Sequence, residues 1–174
     1  SDLAYHSSGE MRSYLSSEVH YKLNEKKLLE MDEELQKKLI HGYYACVSFV
    51  DTQVGKIIEK LKEKDLDKNT IIVVFGDHGW HLGDHSLWNK HSNFEQATRS
   101  PLMIYVPNDN TSVKVSSPTE FVDLFPTLCE LSGLSIPENL DGKSLLPLIN
   151  QTNKVAKKYA VSQWHKGKVT GYSF

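Results

Sequence analysis

The run TIIVVFGD, residues 70 to 77, constrains this chain more than any other stretch. Ile71, Ile72, Val73, Val74 and Phe75 follow one another with no polar residue between them. A strand wetted on one face alternates apolar and polar residues. An unbroken β-branched and aromatic run is instead the pattern of a strand covered on both faces. Such a strand needs layers above and below it. Upstream, Leu28, Met31, Leu35, Leu39, Tyr43, Val47, Val50, Val54, Ile57 and Leu61 recur every three or four residues. That period predicts a helix with its core over about 33–64, which Gly42 and Gly55 weaken without ending. KDLDKNT supplies the turn into the strand.

Downstream, SPLMIYVP (100–107) reads as a second buried strand, closed by Pro107, and residues 108–117 as a polar loop. FVDLFPTLCELSGL follows as a helix, with Asp123 as its cap, Pro126 in its first turn and Gly133 at its end. IPENLDGKSLLPLI is a loop leading to a helical turn around 144–149. KKYAVSQWHKGKVTGYSF reads as one strand and the start of another. Helix, buried strand, loop, buried strand, helix is an α/β arrangement. We divide it into a loop-rich lead-in (1–25), an α/β unit (26–150) and the strands of a further subdomain (151–174).

A net charge of -2 gives no electrostatic reason to expect nucleic acid as a partner, and no run of 18 apolar residues spans a membrane. Cys46 and Cys129 lie far apart in apolar helical patterns and are expected to be buried thiols. The N-terminus has neither an initiating Met nor the basic and apolar regions of a signal peptide. A mature form, or a piece of something longer, is the expectation.

At the end of the first strand, FGDHGWHLGDHSLWNKHSN (75–93) holds four of the chain's eight histidines: His78, His81, His85 and His91. Gly79 and Gly83 argue for a loop over the strand end rather than a helix. In open α/β sheets, ligands bind beyond the carboxyl ends of the strands, where Asp77 and His78 fall. Carboxylate and imidazole together suit a divalent cation. Lys90 is a poor neighbour for a bare metal but a good one for a bound anion. Metal plus lysine therefore points to an anionic ester. The plainer alternative makes Asp77 a turn cap and His78 a hydrogen-bonded structural histidine, and the density of His81, Asp84, His85 and His91 weighs against it. Trp80 and Trp88 are packing residues or substrate walls, and Asp84 and His85 lock the loop.

These residues resemble a known family. VVFGDHGWHLGDHSLWNKHSNFEQATRSPLMIYVP, with GYYACVSFVDTQVG before it and FVDLFPTLCELSGLSIPENLDGKSLLPLI after it, is similar to the second half of type I sulfatases, specifically the iduronate-2-sulfatase group. The likeness covers about residues 36 to 149, and the closing GYSF resembles a later strand. It implies a partial alkaline-phosphatase-like layered α/β fold and hydrolysis of sulfate esters on a sulfated sugar or glycosaminoglycan. It also implies a Ca2+ site in which Asp77 and His78 are the late pair of ligands. Lys90 would contact the sulfate, and His81 would line the pocket. A secreted, periplasmic or lysosomal parent protein follows from the same likeness.

The departure from the family is large. No Cys or Ser followed by x-Pro-x-Arg, the formylglycine motif, is present: Cys46 precedes VSFV and Cys129 precedes ELSG. The early Asp-Asp pair is missing too. The expectation is the C-terminal portion of a sulfatase catalytic region, catalytically silent alone, whose partners are a sulfated carbohydrate and the missing N-terminal half of its own domain. Two other readings stand beside it. One is a phosphodiesterase or phosphatase of the same superfamily, with zinc on the Asp-His pair; the Lys90 and Trp88 spacing favours the sulfatase. The other is a non-catalytic module that binds a glycan or a protein partner.

Overall fold

The computed structural model describes residues 33–90, 92–109, 111–151, 155–166 and 169–174. The lead-in, the first helical positions Leu28 and Met31, and His91 lie outside them. Two compact units divide the chain at Pro107.

In the first unit, α1 (Glu33–Glu63) begins with Glu33 and Glu34 and closes with Lys60 and Lys62, charges that complement the helix dipole at each end. Its described span falls within the helix core expected over about 33–64. A 3-10 turn (Asp67–Asn69) leads into β1 (Ile72–Phe75). β1 pairs antiparallel with β4 (Leu102–Tyr105), in a register running from Ile72↔Tyr105 to Phe75↔Leu102. Between them lie β2 (His81–Leu82), β3 (Trp88–Asn89) and the single helical turn α2 (Glu95–Thr98).

Both strands form where expected, but the burial expected on both faces is not realised. Phe75, Met103 and Tyr105 are 49%, 59% and 47% exposed. Two strands satisfy each other's backbone along one edge, whereas covering their faces takes further layers. The buried apolar centre lies elsewhere. Trp88 is buried against Leu35, Leu39 and Ile40 of α1 and Leu82 of β2. Farther along α1, Val47, Val50 and Ile57 are exposed. Cys46 falls on that bare stretch, so the expectation of a buried thiol fails for it, while Cys129 is buried as expected; both are free.

In the second unit, a 3-10 turn (Phe121–Asp123) runs directly into α3 (Leu124–Leu131), followed by α4 (Leu146–Ile149) and the antiparallel hairpin of β5 (Ser162–Lys166) and β6 (Val169–Ser173). Gly133, at φ 70°, ends α3. There Leu134 N donates to Cys129 O (2.8 Å) and Gly133 N to Glu130 O (3.1 Å), the paired bonds of a Schellman motif. Among the described residues no helix is long and apolar enough to cross a membrane.

Asp123 stands at the N-cap position of α3, yet its side chain does not cap that helix. Fully buried, it accepts hydrogen bonds from Glu120 N (2.9 Å) and Lys143 N (2.8 Å) and pairs with Lys157 (2.8 Å). Thr127 Oγ1 donates to Asp123 O (2.5 Å) and accepts from Leu145 N (2.9 Å). Lys157 also pairs with Glu120, whose other oxygen accepts from Val161 N (3.1 Å). One buried carboxylate thus ties the start of α3 to two distant loops.

Burial is the largest effect on the Lys157 ammonium and opposes its charge. The hydrogen bonds and charges of Asp123 and Glu120 together outweigh it, and the group is held above the ordinary lysine value of 10.5. The stabilisation is therefore complete below that value and is lost as pH rises through the raised one. Lys157→Met should cost about 3 kcal/mol at neutral pH, because it leaves a buried carboxylate short of its countercharge. Denaturant unfolding checks this, and the gap between wild type and variant should narrow above pH 10.5.

Candidate functional site

The candidate site belongs to the first unit and grows from the end of β1. Gly76 N donates to Pro101 O (3.0 Å), the last bond joining the two paired strands. Asp77 and His78 follow at once, both exposed on a bend. Because β4 runs antiparallel, the carboxyl end of β1 lies beside the start of β4. The site is therefore flanked by residues 99–101 as well as by its own loop.

His78 Nδ1 lies 2.9 Å from the Gly79 carbonyl. A carbonyl can only accept, so Nδ1 carries the proton and Nε2 of the neutral ring presents its lone pair. Metal-binding histidines are oriented by this kind of bond. Asp77 makes no hydrogen bond or ion pair among the described residues, and neither does Lys90.

Gly79 is where the loop turns back. Its N donates to Ala97 O (2.7 Å), and a Cβ there would lie 2.0 Å from Gln96 O. No side chain fits at that approach. Trp80, half-buried, places its ring 6.3 Å from Tyr43 of α1. β2 then pairs antiparallel with β3, His81 opposite Asn89 and Leu82 opposite Trp88. The connection is closed by Gly83 N to Leu87 O and Leu87 N to Asp84 O, both 2.8 Å. Gly83 and His85 take left-handed backbones there, at φ 106° and 56°. Asp84 accepts weakly from Leu82 N (3.4 Å), and the His85 ring stacks on Phe94 with centroids 4.5 Å apart.

Lys90 comes directly after β3, half-buried. Asn89 before it is buried and left-handed, at φ 71°. His81, expected in the pocket lining, is only 1% exposed, and further chain or a ligand can only lower that figure. Its Nε2 bonds Ser92 Oγ (2.7 Å), and its ring meets Phe94 edge-on. Trp88 is core rather than wall.

The structure thus sets Asp77 and His78 side by side and Lys90 on the far arm of the next hairpin, with no hydrogen bond or ion pair joining Lys90 to either. Among the described residues no three His, Cys, Asp or Glu side chains gather into a metal site. A carboxylate and an oriented imidazole suit a divalent cation as part of its ligand set, but calcium takes six to eight oxygens and needs more than this pair. Sequence reasoning missed Ser92, which bears no signal by itself, and the contact of Gly79 with residues 96–97, of which the glycine was the only trace.

Known proteins share sequence and fold with this chain. The family model described as Sulfatase matches residues 10–134. The chain is 39% identical over 142 residues to a sulfatase of Formosa agariphila, covering 79% of this chain and 28% of that protein. It is 37% identical over 129 residues to human iduronate 2-sulfatase, covering 60% and 24%. Among solved structures, a 2-O GAG sulfatase superposes with a TM-score of 0.66 at 26% identity, covering 81% of this chain and 32% of that one. Another, solved with its substrate D-glucosamine-2-N,6-O-disulfate, gives 0.59 at 26% identity, over 73% and 28%. The chain spans about a quarter of the length of these two relatives.

Gly79→Ala should cost about 2 kcal/mol, since the added methyl meets backbone rather than a movable side chain. Thermal unfolding measures it, and an unchanged midpoint would mean that the approach to Gln96 is looser than described.

Proposed function

The chain belongs to the sulfatase family, and from that premise we propose that it is the C-terminal portion of the catalytic region of a sulfuric ester hydrolase acting on a sulfated sugar of the glycosaminoglycan type. The observation that carries this reading is the pairing of uncommitted groups. Among the described residues, Asp77 and the Nε2 of His78 meet no hydrogen-bonding partner at the end of β1, and Lys90 makes no hydrogen bond or ion pair at the end of β3. Relatives named for iduronate 2-sulfate and for 2-O GAG sulfate support the substrate class.

In this reading Asp77 and His78 contribute two ligands to a calcium ion. The bound ion would supply positive charge against the sulfate oxygens. Lys90 places an ammonium against the same anion. It offsets charge that a low-dielectric pocket would otherwise leave unbalanced, and it orients the ester for attack. The attacking group is supplied from outside this sequence, because neither Cys46 nor Cys129 is followed by x-Pro-x-Arg.

Two outcomes follow. The purified 174-residue chain should turn over an aryl sulfate no faster than a buffer blank. The full-length protein should cleave aryl sulfate in preference to aryl phosphate and lose about 100-fold in kcat/KM on Lys90→Met, the size expected for one charge-stabilising donor. Preference for aryl phosphate would reject the sulfatase assignment, and turnover by the short chain would reject its dependence on the rest of the domain.

Calcium provides a separate check. With two ligands of the required six to eight, the short chain should bind it weakly, at millimolar concentration or above. Calorimetric titration reads this directly. Micromolar binding abolished by Asp77→Ala would show that the site is complete within these residues.

A further inference from the structure

Lys90 is a long cation on a short hairpin, so something must fix where its backbone sits. β3 ends at Asn89, and the next helical turn does not begin until Glu95. His81 touches this stretch on both sides of Lys90. Its backbone is the ladder partner of Asn89, immediately before the lysine. Its side chain bonds Ser92, shortly after it, at 2.7 Å.

The contacts continue beyond Ser92. Ser92 Oγ accepts a long hydrogen bond from Phe94 N (3.3 Å), and the Phe94 ring lies edge-on to His81 and face-on to His85. Phe94 O accepts from Ala97 N (2.9 Å), and Ala97 O accepts from Gly79 N (2.7 Å), next to His78. A chain of bonds therefore runs from the metal-facing end of β1, through the turn at 94–97, to His81 and the span that bears Lys90.

We propose that His81 is a positioning residue for Lys90: it does not touch the substrate but clamps both ends of the short segment carrying the sulfate-binding ammonium. This rests on the reading of Lys90 given above. A ring 1% exposed has no face left for a sulfate. A histidine that merely filled volume would not need to join two points that bracket a charged residue. Cutting the bond to Ser92 frees one end of the segment, and a displacement of about 1 Å at a charge-stabilising group is enough to cost ten- to a hundredfold in rate.

The test uses the full-length protein, with kcat and KM measured on an aryl sulfate and folding followed separately by thermal unfolding. His81→Leu and Ser92→Ala should each lower kcat/KM about tenfold, whereas His81→Gln, whose amide reaches the place of Nε2, should stay within about threefold of wild type. In a Lys90→Met background, His81→Leu should have no further effect beyond about twofold, because the group it positions is gone. A full tenfold loss in that background would overturn the proposal and leave the sulfatase reading intact. If Lys90→Met itself left kcat/KM unchanged, the role of Lys90 would fall and the proposal with it. Should His81→Leu fail to fold, Ser92→Ala removes the same hydrogen bond from a half-buried position. Wild-type kinetics in that variant would overturn the clamp.

Discussion

The indole of Trp88 has to leave water, and the way it does so places almost everything else in the first unit. It sits on a two-residue strand too short to hold a position by backbone bonding alone. Leu35, Leu39 and Ile40 of the long helix and Leu82 of the facing strand close over it. Burial of a large aromatic contributes on the order of 2–3 kcal/mol. That is enough to dock a hairpin whose ladder has only two residue pairs. Once Trp88 is fixed, Asn89 and Lys90 are fixed in direction, since they follow it in the chain. The apolar contact thus lies two residues from Lys90, the ammonium that the proposed function sets against the sulfate.

The second unit solves a similar problem with opposite means. Its centre holds Asp123 and Thr127, both fully buried and each making more than one hydrogen bond. A buried carboxylate is costly unless its lone pairs are taken up, and here two backbone N–H groups and an ammonium take them. Gly142 completes the arrangement, for a Cβ there would lie 1.8 Å from Val122 O. Such networks contribute less to net stability than apolar packing of the same volume, but they tolerate few alternative arrangements.

Long-range pattern was legible in the sequence, and short-range geometry was not. The period from Leu35 to Leu61 marked the end of α1 to within a residue, and the apolar run at 71–75 marked β1. Asp77 and His78 fell at a strand end because the apolar run stops there. Pairing direction was not readable, since antiparallel and parallel partners leave similar apolar runs. Nor was the exposure of Phe75 and Cys46, which depends on what covers a face rather than on the residue itself. Nor was the burial of His81, which rests on Ser92 and Phe94, two residues that carry no signal of their own. Asp123 carried a capping signal; its side chain does accept from Glu120 N at the preceding 3-10 turn, but its bonds to Lys143 N and Lys157, distant in sequence, were not readable.

The pairing of Gly76 with Pro101 has a consequence for how such a loop can change over evolutionary time. All the candidate site residues lie between these two anchors, so the β1–β4 ladder closes the loop entropically as well as structurally. Lengthening a closed loop costs little, roughly 0.6 kcal/mol for each doubling. Insertions between β2 and β3 can therefore reshape a binding surface without disturbing the strand pair that ends just before Asp77. The strand pair fixes both ends of the segment from Gly76 to Pro101, and with Trp88, His81 and Gly79 held by packing, the turn at 83–87 is where added residues disturb it least.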